Sequence, residues 1–262
     1  MKLTPGTVAA VTGAGSGIGR ALAQRFAAEG AKAVVCVDRD EPGAKATAAG
    51  IGGVAFRVDV AKEDEIAGLI ETVERDIGPI DLFCANAGVG LGRGIGDDDA
   101  DWMGSWNINV MAHVYAARAL VPRMVERGHG YILTTASAAG LLTNLDSATY
   151  TVTKHAAVAF AEWLSMNYGD AGVKVSCLCP QGVRTPMLMA AGTHNATLAA
   201  GGVVEPEDAA EAVVQAIRDE RFLVLPHPEV AGYYVARATD TDRWLAGMRR
   251  LQHKLDESGL LP

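Results

Sequence analysis

Apolar residues along this chain alternate between two textures. Seven short runs are almost continuously apolar and rich in β-branched residues: Thr7–Thr12 (TVAAVT), Lys32–Asp38 (KAVVCVD), Val54–Val60 (VAFRVDV), Ile80–Asn86 (IDLFCAN), Gly130–Thr135 (GYILTT), Val173–Cys179 (VKVSCLC) and Arg221–Leu225 (RFLVL). Helix-length segments separate them. Strands apolar on successive residues are buried on both faces, and their alternation with helices implies a parallel sheet covered on both sides. The pattern predicts a three-layer, doubly wound α/β fold. No repeat, low-complexity segment or linker interrupts it, so residues 1–262 read as a single domain. The irregular stretch at about 185–204 reads as a loop over a pocket. A last helix is expected at about 233–255, with Trp244, Met248, Leu251 and Leu255 on one stripe.

Composition narrows the function. With 49% hydrophobic and 21% charged residues, the chain has the make-up of a globular protein. Its formal charge of -8 opposes nucleic-acid binding, and the one basic cluster, Met248–Lys254 (MRRLQHK), reads as a solvated helix face. No membrane partner is expected. The N-terminal run VAAV is too short for a signal-peptide core, and the uncharged stretch Thr185–Val204 is interrupted by Pro186, His194, Asn195 and three glycines. Cys36, Cys84, Cys177 and Cys179 show no C-x-x-C spacing and lie in apolar runs, which points to reduced, buried thiols in a cytoplasmic protein and to no metal site.

The first strand runs directly into TGAGSGIG, Thr12–Gly19, and then into a helix. Free N–H groups at a helix start and the helix dipole together favour a phosphate, and glycines let it come close. Neither G-x-G-x-x-G nor the P-loop pattern fits, whereas G-x-x-x-G-x-G fits Gly13, Gly17 and Gly19. A dinucleotide site follows. Asp38 ends the second strand nineteen residues after Gly19, where such a fold places the acid for the adenosine ribose hydroxyls. A carboxylate there repels a 2′-phosphate, whereas the adjacent Arg39 can pair with one or stack on adenine. Ser16 leaves the turn without a basic residue, which favours NAD over NADP.

Further along, SATYTVTKHAA (Ser147–Ala157) sets Tyr150 and Lys154 four residues apart, on one side of a helix. Alone, such a pair is an ordinary helix face. With TGAGSGIG, NAG at Asn86–Gly88 and YTVTK at Tyr150–Lys154, the chain resembles the short-chain dehydrogenase/reductase family, from Thr12 to about Met187.

The resemblance implies a Rossmann fold with a seven-stranded parallel sheet. It also implies a pyrophosphate turn at Gly13, Ser16, Gly17, Ile18 and Gly19, and a ribose contact at Asp38 and Arg39. The adenine edge falls to Asp59 and Val60. Asn86, Ala87 and Gly88 lie beside the cofactor, and Pro180, Val183 and Thr185 serve the nicotinamide end. Ser137, thirteen residues before Tyr150, and Asn109, seven after Trp102, complete a catalytic set with Tyr150 and Lys154. A homo-oligomer, tetramer or dimer, is implied as well. One departure is visible: CPQGVRTPM places Gln181 where the family usually carries glycine.

Chemistry gives each role a reason. Oxidising a secondary alcohol removes a hydride and the hydroxyl proton, so a base must stand beside the carbinol. Free tyrosine, with a pKa of ~10, is a poor base near neutrality. A cation ~4 Å away contributes about 4 kcal/mol at an effective dielectric of ~20, roughly three pKa units. Lys154, helped by oxidised nicotinamide, is therefore expected to bring Tyr150 near neutrality. Ser137 would orient the substrate oxygen, and the family resemblance implies that Asn109 would hold a water linking Lys154 to solvent. A largely apolar alcohol or ketone is expected against Val89, Leu91, Leu141, Leu142, Leu145, Met187, Leu188 and Met189. An NADPH-dependent carbonyl or 3-oxoacyl reductase is the alternative enzyme, and a nicotinamide-sensing binding protein the non-enzymatic one.

Overall fold

The computed structural model describes Met1, residues 3–190 and residues 202–257. Each of the seven apolar runs contains a strand: β1 Val8–Thr12, β2 Ala33–Asp38, β3 Val54–Arg57, β4 Leu82–Ala85, β5 Gly130–Thr135, β6 Val173–Leu178 and β7 Leu223–Val224. They form one sheet, ordered β3-β2-β1-β4-β5-β6-β7, with every pair parallel. Helices α1 (Gly17–Ala28), α2 (Glu41–Ile51), α3 (Glu63–Asp76), α4 (Asp99–Trp106), α5 (Ala112–Glu126), α6 (Ala139–Leu142), α7 (Ala148–Tyr168), α8 (Pro186–Ala190), α9 (Pro206–Asp219), α10 (Glu229–Thr239) and α11 (Thr241–Glu257) connect and cover it.

Two dry cores explain why the strands read as unbroken apolar runs. On one face Val8, Ala10, Phe83 and Ile132 pack with Ile66 and Ile70 of α3, Leu120 and Met124 of α5, and Leu164 of α7. On the other, Ala9, Val11, Leu82 and Leu133 pack with Leu22 and Phe26 of α1 and Val213 and Ile217 of α9. Successive strand residues thus feed opposite cores. The strand order reverses at β1, whose neighbours β2 and β4 carry the chain in opposite directions, and that reversal opens a crevice at the C-terminal ends of the strands.

Three features differ from the sequence expectation. The last helix is two helices, α10 and α11, broken at Asp240, whose carboxylate accepts a hydrogen bond from Arg243 N at 2.9 Å. Asp240 is therefore an N-cap that starts α11 afresh. Along the expected stripe Leu255 is buried and Trp244, Met248 and Leu251 are half-buried. The stretch at 185–204 begins with α8, and Val183 bridges Val204 across it; residues 191–201 lie outside the described residues. Between α4 and α5, Asn107–Met111 winds as a π-helical turn.

All four cysteines are buried and unpaired. No helix among the described residues is long and apolar enough to cross a membrane. Phe26 is fully buried between α1 and the sheet. Phe26→Ala is expected to lower the unfolding free energy by about 3–5 kcal/mol in denaturant titration; a loss below ~1 kcal/mol would contradict this packing.

Candidate active site

At the crevice, β1 ends in a turn that only glycine permits. Gly13 and Gly17 have φ of +68° and +49°, and a Cβ added to Gly19 would stand 2.1 Å from the Gly13 carbonyl oxygen. The turn therefore lies flush on the start of α1, a cradle that fits the pyrophosphate of a dinucleotide. Ser16 is exposed at its rim and Ile18 is half-buried. At the end of β2, Asp38 Oδ2 accepts a hydrogen bond from Gly15 N (2.9 Å) and Oδ1 accepts one from Asp40 N (2.9 Å). Its carboxylate is thus fixed against the turn. Arg39 is exposed and forms no salt bridge among the described residues. Val58 N donates to Asp38 O (3.1 Å), which lays the segment after β3 along this edge. There Asp59 Oδ1 accepts from Ala61 N, and Val60 buries its side chain in the core.

The β1–β4 junction is stitched by hydroxyls. Thr12 Oγ1 accepts hydrogen bonds from Asn86 N (2.9 Å) and Ala87 N (3.0 Å). Asn86 Nδ2 donates to Thr12 O (3.0 Å), and Asn86 Oδ1 accepts from Thr135 Oγ1 (3.1 Å), so one amide ties β1, β4 and β5. Thr185 sits over the turn: a Cβ on Gly17 would stand 2.9 Å from its Cγ2. Pro180 O accepts from Ala138 N (2.8 Å) and from Ser137 Oγ (3.3 Å), and Val183 is buried beside them. The Gln181 turn is braced by His227, whose Nδ1 accepts from Gln181 N (3.2 Å) and whose Nε2 donates to Gly202 O (3.2 Å).

The structure brings Asn109, Ser137, Tyr150 and Lys154 together. Ser147 caps α7 by accepting from Tyr150 N (3.2 Å), and its hydroxyl donates to Gly92 O (3.0 Å). That cap pins the tyrosine's turn to the segment after β4. The Ser137 hydroxyl is fixed before α6, where its Oγ accepts from Ala139 N (3.1 Å). Lys154 is 3% exposed; its Nζ donates to Thr135 O (3.0 Å) and lies 5.5 Å from the Tyr150 ring centre. Gly88 makes room, because a Cβ there would stand 3.3 Å from Lys154 Nζ and 3.2 Å from Asn109 Oδ1.

Asn109 Oδ1 accepts from Val89 N (2.9 Å), and its Nδ2 donates to Val89 O (2.9 Å) and Thr153 Oγ1 (3.1 Å). These three bonds go to protein, so the side chain clamps the segment after β4 to α7. The expected apolar wall also changes: Leu141 and Leu142 are buried in the core beneath α6, while Val89, Leu91, Leu145 and Leu188 are half-buried and Met187 and Met189 exposed.

Burial pushes the Tyr150 phenol up from its ordinary value, with the Ser137 hydroxyl opposing the shift. Burial also lowers Lys154 to about 8. Four supporting residues escaped the sequence: Thr12, Thr135, Thr153 and His227. Threonine at a strand end is ordinary in composition, and its partners become apparent only when the strands are aligned.

This arrangement defines a nicotinamide-dependent oxidoreductase. The chain matches the short chain dehydrogenase family over residues 7–196 and belongs to it. It is 37% identical to 1-deoxy-11-beta-hydroxypentalenate dehydrogenase of Streptomyces exfoliatus, covering 84% of this chain and 83% of that one. It is 30% identical to human (Homo sapiens) estradiol 17-beta-dehydrogenase 11, over 95% and 84% of the two chains. A solved short chain dehydrogenase/reductase from Burkholderia phymatum, in complex with NAD, superposes with a TM-score of 0.83 at 30% identity, covering 92% of this chain and 96% of that one. The chain is thus an alcohol dehydrogenase or ketone reductase acting on CH–OH groups with a nicotinamide dinucleotide.

The Lys154 shift has a consequence for stability. Its folded pKa of about 8 lies below the ordinary lysine value of 10.5, so the unfolded chain binds more protons between those two values and stability rises with pH across that window. Relative to Lys154→Met, the wild-type protein is expected to gain about 3 kcal/mol as pH rises from about 8 to 10.5. Denaturation of both proteins across that range checks the sign; a constant difference would contradict it.

Proposed function

We propose that the protein interconverts a largely apolar secondary alcohol and its ketone with NAD(H), using Tyr150 as general acid and base. One observation carries this reading: the buried Lys154 ammonium lies 5.5 Å from the centre of the Tyr150 ring, in a chain whose glycine turn fits a dinucleotide. Bound nicotinamide supplies the hydride acceptor or donor. In oxidation, the Tyr150 phenolate takes the carbinol proton while the Ser137 hydroxyl donates to the same substrate oxygen and holds its charge. Lys154 keeps a positive charge beneath the phenol and can also donate to ribose hydroxyls. Asn109 positions both by holding Val89 and Thr153.

The clamped Asp38 carboxylate supports NAD, since a 2′-phosphate would meet its charge. The exposed Arg39 is the one observation favouring NADP. The apolar substrate class is supported by Val89, Leu91, Leu145 and Leu188 near the site, and by relatives named for hydroxypentalenate and estradiol. A homo-oligomer, tetramer or dimer, is the proposed assembly, testable by light scattering.

Tyr150→Phe is expected to lower turnover by ~10²–10⁴ and leave NAD affinity nearly unchanged. Undiminished turnover would remove the tyrosine from its role. Initial rates should favour NAD over NADP by at least ~10-fold in kcat/KM, about 1.4 kcal/mol of discrimination at Asp38. The reverse preference would favour the NADPH-dependent reductase. In a substrate panel, cyclic apolar alcohols and ketones should turn over best; activity confined to small charged hydroxy acids would reject the apolar class.

A further inference from the structure

Beyond Lys154, the core contains polar atoms that the proposed mechanism does not use. His113 lies one turn past Asn109 on α5 and is 3% exposed, yet neither ring nitrogen has a hydrogen-bond partner. The hydroxyl of Thr134 on β5, 0% exposed, is likewise unpartnered. Ile132 and Ala136, two residues to either side of Thr134, pack into the core that α5 and α7 share, so strand alternation turns Thr134 toward that layer too. Lys154 borders the same layer: its Nζ bonds the carbonyl of Thr135, the residue after Thr134, and a Cβ on Gly88 would stand 3.3 Å from that Nζ and 3.2 Å from Oδ1 of Asn109, one turn before His113. Burial first, and the Lys154 charge second, hold the His113 imidazole neutral, at a pKa of about 3.

Three orphaned polar atoms in one buried layer demand partners, because a buried donor or acceptor left unmade costs about 1–3 kcal/mol. The layer includes short side chains, Ala112, Ala116 and Ala117 on α5, Ala136 after β5 and Ala157 on α7, alongside larger apolar ones. Water is the partner whose chemistry matches these atoms. A neutral imidazole offers one donor and one acceptor, and the hydroxyl offers both. Lys154 has three donors, of which Thr135 O takes one.

We propose that His113 and Thr134 hold internal water against the buried side of Lys154, and that His113 is a positioning residue supplying acceptors that keep the ammonium charged beneath Tyr150. The proposal rests on the role proposed above for Lys154. The titratable groups around it are few. Tyr150 shares α7, Cys177 and Cys179 act on Lys154 from β6 and just beyond it, and the Cys177 thiol is held neutral by its neighbour Cys179 and by burial. From α3 come only Ile66, Leu69, Ile70 and Val73, and Cys84 of β4 faces the opposite core.

A high-resolution crystal structure of the full chain is expected to show ordered water within hydrogen-bonding distance of the His113 ring; a dry hollow overturns the proposal. His113→Leu removes the acceptor and disfavours the charged amine. The limb of the kcat–pH profile at which activity falls at high pH should therefore move down by about one pH unit, while His113→Asn, which keeps an acceptor, should restore it to within ~0.3. A His113→Leu enzyme that unfolds cooperatively and merely loses rate, with its pH limbs unmoved, overturns the positioning role. A wild-type protein with no oxidoreductase activity would defeat the proposed function, and the water in the crystal would still decide this inference.

Discussion

A buried ammonium ion is the constraint around which the site is arranged. Removing Lys154 from water disfavours its charge, and among the groups that repay part of that loss are the Thr135 carbonyl and the electron-rich face of Tyr150. The carbonyl is available because β5 ends there and its last oxygens need partners. Glycine at position 88 follows from the same crowding, since a side chain would press on the amine and on Asn109 together. The Ser147 cap and the Asn109 clamp then fix where α7 lies, so the tyrosine one turn before the lysine has little freedom.

Much of this was legible in the linear pattern, and the physical reason is burial. A sheet with two covered faces needs apolar residues at every strand position, so all seven strands stood out, and the steric demands of the turn at Gly13, Gly17 and Gly19 left no choice of residue. Tyr150 and Lys154 were visible because a helix converts a spacing of four into a shared face. The misses share another cause. Thr12, Thr135 and His227 owe their importance to partners distant in the chain, and the π-helical turn at Asn107–Met111 has no periodicity of its own to announce it. Leu141 and Leu142 were misplaced because a buried leucine and a pocket leucine look alike in sequence. Desolvation of Tyr150 and Lys154 is likewise hidden from a distance argument, which includes attraction only.

The parts of the site differ in how firmly they are held. The proposed cofactor positions sit at the ends of β1, β2, β4 and β5, where ladder and side-chain bonds cross-link neighbouring strands. The substrate side draws on the segment from Val89, on α8 and on the turn braced by His227, which have fewer such links. Substrate preference can therefore change while the proton machinery stays in register.

Asp38 shows where that independence ends. Both of its oxygens accept backbone hydrogen bonds, one from Gly15 within the phosphate turn and one from Asp40. The acid proposed to discriminate between cofactors is thus also the clasp that holds the turn. An engineer who neutralised it to admit a phosphorylated dinucleotide would loosen the cradle meant to receive it. A workable redesign has to give Gly15 a new acceptor along with the new positive charge, and that requirement makes cofactor choice in this chain a two-residue trait.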